Sequence, residues 1–136
     1  MTHFHIITLF PESIEPYLQS SILGRAREKE LIKVSFYDPK DFTRDKYGRV
    51  DRRPYGGGPG MVLEPDAILR AAQKAIGKKV GVEKIFFATD GAQFDEAMAK
   101  KLSRKKDIVL ISGRYEGVDA RAPKILKAKP ISVGPY

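Results

Sequence analysis

The sequence predicts an α/β fold, a mainly parallel sheet with flanking helices. Three observations carry that expectation. Short β-branched and apolar runs alternate along the chain with segments whose apolar residues recur at helical spacing. A length of 136 residues fits one domain. An apolar share of 42% is that of an ordinary globular chain, which argues against global disorder.

Residues 3–9 (His-Phe-His-Ile-Ile-Thr-Leu) are expected to form the first strand. Pro11 and Glu12 follow as at a helix start, and Ile14, Tyr17 and Leu18 then recur at helical spacing. Ser20 or Ser21 can cap a second helix with Ile22, Leu23 and Ala26 on one face. Residues 33–37 are the second strand. Residues 38–60 hold five Gly, three Pro, six Lys or Arg and four Asp, so regular structure is not expected there. Pro65 opens a helix with Ile68, Leu69, Ala72 and Ile76 on its apolar face and Gly77 as its stop.

The alternation continues in the second half. Residues 84–89 are a buried strand, and Asp90-Gly91 is expected to be a turn. Phe94, Met98 and Leu102 lie four apart and predict a helix over 94–104. Residues 107–112 form a strand, 119–126 a short helix broken or kinked near Pro123, and 131–133 a last strand. Ligands of parallel sheets bind beyond the carboxyl ends of the strands. The loops after Thr89, Ser112 and Val133 are therefore the first places to look for a site.

Charge and composition narrow the function classes. The net charge of +8 favours a polyanionic partner, with nucleic acid the usual case, or else a merely basic surface. The absence of cysteine excludes disulfides, thiolate metal sites and a cysteine nucleophile. No apolar run approaches the ~18 residues of a membrane span, and the amino terminus lacks signal-peptide order. A soluble, cytoplasmic protein without membrane partners is expected. His3 and His5 share one face of a strand, but a metal site needs a third ligand, so a structural role is expected of them.

The segment Gly56-Gly57-Gly58-Pro59-Gly60 fits neither phosphate fingerprint. It lacks the Gly-Lys-Ser/Thr ending of a P-loop, and the third glycine of a dinucleotide loop would fall at Met61. What remains is a backbone that a flat ligand can approach closely, or a tight structural turn. Arg53 and Tyr55 beside it supply a phosphate partner and a stacking surface. Downstream, Gly113-Arg114-Tyr115-Glu116-Gly117 follows a buried strand, where the carboxylate can take a proton, pair with a ligand ammonium group, or simply pair with Arg114. Two basic clusters, Lys100–Lys106 and Arg121–Lys129, fit either phosphate contact or a solvated helix face.

These motifs, taken together and in order, resemble a known family. Ile7-Thr8-Leu9-Phe10-Pro11-Glu12, Gly24-Arg25-Ala26, Asp41-Phe42-Thr43, Val50 through Met61 and Gly113-Arg114-Tyr115-Glu116-Gly117 look like TrmD-type bacterial tRNA (guanine-N(1))-methyltransferases over essentially the whole chain. The resemblance implies a SPOUT-class fold whose carboxyl-terminal part forms a trefoil knot, here incomplete, with residues 1–136 as the amino-terminal methyl-donor-binding domain. It implies a homodimer with active sites between subunits, S-adenosylmethionine as cofactor, and tRNA as partner, methylated at N(1) of the guanosine 3′ of the anticodon. Magnesium dependence is a further family trait, although the sequence shows no dedicated site for it.

By the same resemblance, Phe87, Ala88, Thr89, Gly113, Tyr115, Glu116, Val133, Gly134, Pro135 and Tyr136 would hold the donor. Arg53, Tyr55, Gly57, Gly58, Pro59 and Gly60 would receive the target guanine. The sequence departs from the family at two of these places. Ala88-Thr89-Asp90-Gly91 stands where Ser-Pro-Gln-Gly is common, and Pro135 stands where an aspartate is usual. The arginine and aspartate that the family uses in catalysis fall beyond Tyr136, so no catalytic residue is assignable, and the chain alone is expected to have little or no activity. Two other functions stay open on the residues themselves, a non-catalytic tRNA-binding module and a nucleotide-binding enzyme on a doubly wound sheet.

Overall fold

A computed structural model of the chain describes residues 1–43, 51–52, 62–63, 65–112 and 121–134. Its first strand, β1 (Thr2–Ile7), leads through Phe10-Pro11 into α1 (Pro11–Leu18), where the proline sits in the first turn and loses no helical hydrogen bond. A second helix, α2 (Ser21–Glu28), returns the chain to β2 (Ile32–Tyr37), parallel to β1. Gly24 is the buried residue of α2, and a Cβ there would collide with the Gln19 carbonyl oxygen. Only glycine lets α2 turn this closely onto the end of α1. Leu23 and Ala26 are half-buried as expected, but Ile22 on the same predicted face is exposed.

The segment expected to be irregular contains more order than its composition suggested. Asp38 caps a 3-10 turn at Pro39–Asp41 by accepting from the Lys40 amide at 2.9 Å. Farther on, β3 (Asp51–Arg52) pairs antiparallel with β4 (Val62–Leu63). That ladder is set by a cross-strand partner some ten residues away, a signal that local composition does not carry.

Five strands form one sheet, and every adjacent pair in it is parallel. β5 (Glu83–Gln93), β6 (Asp107–Ile111) and β7 (Lys129–Ser132) join the first two in the order β2-β1-β6-β5-β7. Three helices connect them, α3 (Pro65–Ile76), α4 (Glu96–Leu102) and α5 (Arg121–Leu126). α3 stops at Gly77, whose φ is +56°. α4 starts two residues later than its apolar spacing suggested, because the Asp95 side chain caps it by accepting from the Met98 amide at 2.8 Å. Pro123 does not break α5, since it stands in the first turn, where its missing N–H has no partner to lose.

The two faces of the sheet are packed differently. On one, the small residues Ala71, Ala72 and Ala75 of α3 let the helix settle closely on Ile7, Val109 and Ile111, with Ala122 and Leu126 of α5 beside them. On the other, Ile85, Ile108 and Ile131 pack with Phe4, Met98 and Leu102. Full burial of each large side chain is worth ~1.5–3 kcal/mol. No helix among the described residues is long and apolar enough to cross a membrane.

Candidate functional site

The carboxyl ends of β5, β6 and β7 lie side by side, and the first departure from regular pairing occurs there. Phe87 of β5 stands opposite Ile131 of β7, and so does Ala92, five residues later. Residues 88–91 therefore leave the ladder and return to it. The expected turn at Asp90-Gly91 is instead the second half of an excursion inside an unbroken strand. Dihedral preference alone cannot distinguish a hairpin turn from such a bulge, because both want a compact, polar dipeptide with glycine.

Gly91 holds the excursion down. A Cβ at this position would lie 2.6 Å from the Pro130 carbonyl carbon and 2.7 Å from the Ile131 nitrogen. Those atoms are the β7 backbone and cannot swing aside. Ala88 is half-buried, whereas Thr89 and Asp90 are exposed, so the excursion presents its tip outward. A backbone that leaves its ladder in this way can turn amides toward a ligand, whichever side chains surround them.

The end of β7 is fixed by its own side chain. Ser132 is buried; its hydroxyl donates to the Gly134 carbonyl at 2.9 Å and accepts from the Gly134 amide at 3.3 Å. Phe94 N–H donates to the Ser132 carbonyl at 2.8 Å, tying the end of β7 to the strand that carries the excursion. Sequence reasoning placed Gly91 in a turn and at the end of a family motif without seeing what it packs against, and it missed Ser132. Each acts through a backbone contact that only the folded chain reveals.

Of the residues predicted to hold a donor, Phe87 and Val133 come together. Both line an apolar cleft of about 320 Å³ with Phe4, Phe94, Leu102 and Leu110. Phe87 and Val133 are each roughly half exposed, which is unusual for large apolar side chains. Ala88 and Thr89 stand in the excursion and Gly134 in the turn after β7. Gly113, Tyr115, Glu116, Pro135 and Tyr136 lie outside the described residues, as do Arg53, Tyr55, Gly57, Gly58, Pro59 and Gly60. Pairing of β3 with β4 brings the two flanks of the glycine-rich segment together.

The charge is unevenly used. Lys100 pairs with Glu96 at 3.3 Å, and Lys105 and Lys129 both reach Glu83, at 3.8 and 2.9 Å. Lys101, Arg104 and Lys106 are exposed and have no ion pair among the described residues.

Comparison with known proteins gives one consistent answer. A model of the family described as tRNA (Guanine-1)-methyltransferase TrmD matches residues 2–136. The chain is 41% identical over 136 residues to the tRNA (guanine-N(1)-)-methyltransferase of Dictyoglomus turgidum, covering 100% of this chain and 54% of that one. It is 38% identical over 133 residues to the protein of the same name from Campylobacter jejuni, covering 98% and 57%. The crystal structure of tRNA (m1G37) methyltransferase from Aquifex aeolicus superimposes with a TM-score of 0.87 at 34% identity, over 99% of this chain and 61% of that one. The chain thus spans about half the length of the curated relatives it matches. Its parallel sheet and helices have the SPOUT architecture that the sequence resemblance implied.

Proposed function

The chain belongs to the TrmD family of tRNA (guanine-1)-methyltransferases, and from that premise we propose that it forms the methyl-donor half of an enzyme acting on tRNA. The methyl group would pass from S-adenosylmethionine to N(1) of the guanosine 3′ of the anticodon. What carries the proposal is the excursion of β5 between Phe87 and Ala92, pinned by Gly91 to the β7 backbone beside Val133 and Gly134. A loop that offers backbone rather than side chains explains how Ala88-Thr89-Asp90 can stand where the family commonly has Ser-Pro-Gln.

S-adenosylmethionine, when bound, supplies a methyl group already activated on a sulfonium. The chain's task is then positional. Phe87 and Val133 offer apolar surface, the released amides of 88–91 offer hydrogen bonds, and Gly113, Tyr115, Glu116, Pro135 and Tyr136 belong to the same proposed site. Arg53, Tyr55, Gly57, Gly58, Pro59 and Gly60 would receive the guanine. Attack of the ring nitrogen in line with the departing sulfur requires that the two partners be held together and that the ring proton be lost. A homodimeric assembly in the cytoplasm, with magnesium assisting, is part of the same proposal.

Two measurements test it. S-adenosylmethionine should raise the melting temperature of the chain, whereas ATP should not; the opposite order would favour the nucleotide-binding alternative. A chimera carrying residues 1–136 on the remaining part of the Dictyoglomus turgidum relative should methylate a tRNA transcript with guanosine 3′ of the anticodon and spare one with adenosine there. A folded chimera that methylates neither overturns the proposal.

The cations of the α4 region that have no ion pair among the described residues should contribute to tRNA affinity. Replacing Lys101, Arg104 and Lys106 together by alanine is expected to weaken binding and flatten its dependence on salt, by ~0.7–0.9 in log–log slope for each phosphate no longer neutralised. An unchanged slope would assign the three side chains to solvent.

A further inference from the structure

At the opposite, amino-terminal end of the sheet, the third ligand that the histidine pair lacked in the sequence is present. His3 and His5 project from the same face of β1, and Asp107 opens the neighbouring strand β6 directly opposite His3. One ligand atom from each of the three residues lies within 4.8 Å of the others. His5 Nε2 is 2.9 Å from Asp107 Oδ1, and His3 Nδ1 is 3.9 Å from the same oxygen. The two imidazole rings are 3.8 Å apart between centroids.

The geometry points to a binding site for a borderline transition-metal dication such as zinc or cobalt, with His3 Nδ1, His5 Nε2 and Asp107 as its ligands. It is independent of the methyl-transfer proposal, since it uses none of those residues and faces away from the loops beyond the strands' carboxyl ends.

The outer contacts favour this over an accidental cluster. Ligating imidazoles usually donate their other ring N–H to a fixed acceptor, which orients the ring and selects the tautomer. Both histidines have such a partner in place. His3 Nε2 lies 2.8 Å from Ser35 Oγ, and His5 Nδ1 lies 3.2 Å from the Tyr37 hydroxyl. Ser35 and Tyr37 are alternate residues of β2, so they meet the alternate histidines of β1 on one face. His5 is 1% exposed, while His3 and Asp107 are each about a fifth exposed, which leaves a solvent-side approach for the ion and a water.

Donor chemistry narrows the ion. Two nitrogens and one carboxylate oxygen suit zinc or cobalt in a four-coordinate site completed by water, whereas magnesium prefers six oxygens. Tetrahedral bonds of about 2.0–2.1 Å separate ligand atoms by roughly 3.3–3.4 Å, so each atom here needs to move by less than about 1 Å. A carboxylate oxygen only accepts, so His5 Nε2–H donates to Asp107, and with one ring proton Nδ1 is then the acceptor toward the Tyr37 hydroxyl. Binding would shift that proton to Nδ1 and turn the Tyr37 oxygen into an acceptor, with no net charge change on the ring. Burial holds the His3 imidazole below its ordinary pKa, aided by His5 and Lys33 and opposed by Asp107. Lys33 and Lys79 act against any positive charge at His3, and so weaken the site.

The test uses the untagged 136-residue chain with cobalt. The chain has two histidines and no cysteine, so a nitrogen-ligated cobalt spectrum reports on this pair alone. The expected result is one cobalt per chain with the strong visible bands of four-coordinate cobalt, bleached by zinc and unaffected by magnesium. His3→Gln should abolish the bands while leaving the far-ultraviolet circular dichroism unchanged. Tyr37→Phe should weaken binding about tenfold, and Lys79→Gln should tighten it. No cobalt bands in the unsubstituted chain, or bands that persist in a folded His3→Gln variant, would overturn the assignment.

Discussion

Gly91→Ala is expected to dislodge the β5 excursion, with a loss of about 1–3 kcal/mol of stability and of most donor binding. The added methyl would stand 2.6 Å from the Pro130 carbonyl carbon and 2.7 Å from the Ile131 nitrogen, on the backbone of a paired strand. Either residues 88–91 lift away or β7 shifts, and both movements displace Phe87 and Val133 from their common cleft. Thr89→Ala and Asp90→Ala on the exposed tip serve as controls, since surface substitutions of this kind usually stay within about 0.5 kcal/mol. The measurement is the melting temperature with and without S-adenosylmethionine. A Gly91→Ala chain that melts and responds to the donor like the unsubstituted one would show that Gly91 does not hold the excursion.

The same glycine shows how far the sequence could be read. Asp90-Gly91 looks like a turn because turn chemistry is local, whereas its true constraint is the β7 backbone about forty residues later in the chain. Strands β1, β2, β5 and β6 were legible from their β-branched runs, and α3 from its apolar stripe, since each signal lies within the element itself. The strand order β2-β1-β6-β5-β7 was not, because parallel neighbours are chosen by crossovers that leave no local mark. Phe87 and Val133 came from the family resemblance; nothing in their spacing pairs residues 46 positions apart. The glycine loop and the Gly113–Gly117 motif, the most specific signals in the sequence, fall outside the described residues. The histidines show the complementary case. Period-two spacing put His3 and His5 on one face, but their carboxylate partner stands 102 residues beyond His5, and only the β1–β6 register brings it opposite.

Ile111→Ala should be more destabilising still, at about 2–5 kcal/mol. Ile111 is the last residue of β6, the central strand, and its register partners are Ile7 on one side and Phe86 on the other. It is fully buried in the cluster with Ile68 and the α3 alanines. Those alanines are already small and close, so the neighbours have little side chain with which to fill the space left behind. Melting should fall by roughly 10 °C or more for a chain of this size, whereas Ile111→Val, which removes one methylene, should cost only about 0.5–1.5 kcal/mol. The two ends of the sheet should respond differently. Ile111 lies immediately before the Ser112 amide that donates to the Ile7 carbonyl at 2.9 Å, so a cavity there loosens the edge from which the proposed donor loops depart. Asp107 and the histidines sit toward the other end of the same strands, Asp107 opening β6 and Ile111 closing it. In a chain kept folded below its lowered melting point, the donor response should therefore weaken more than cobalt uptake does. Equal losses in both would mean that the sheet transmits the defect as one body, and no loss of stability would mean that α3 can close over the gap.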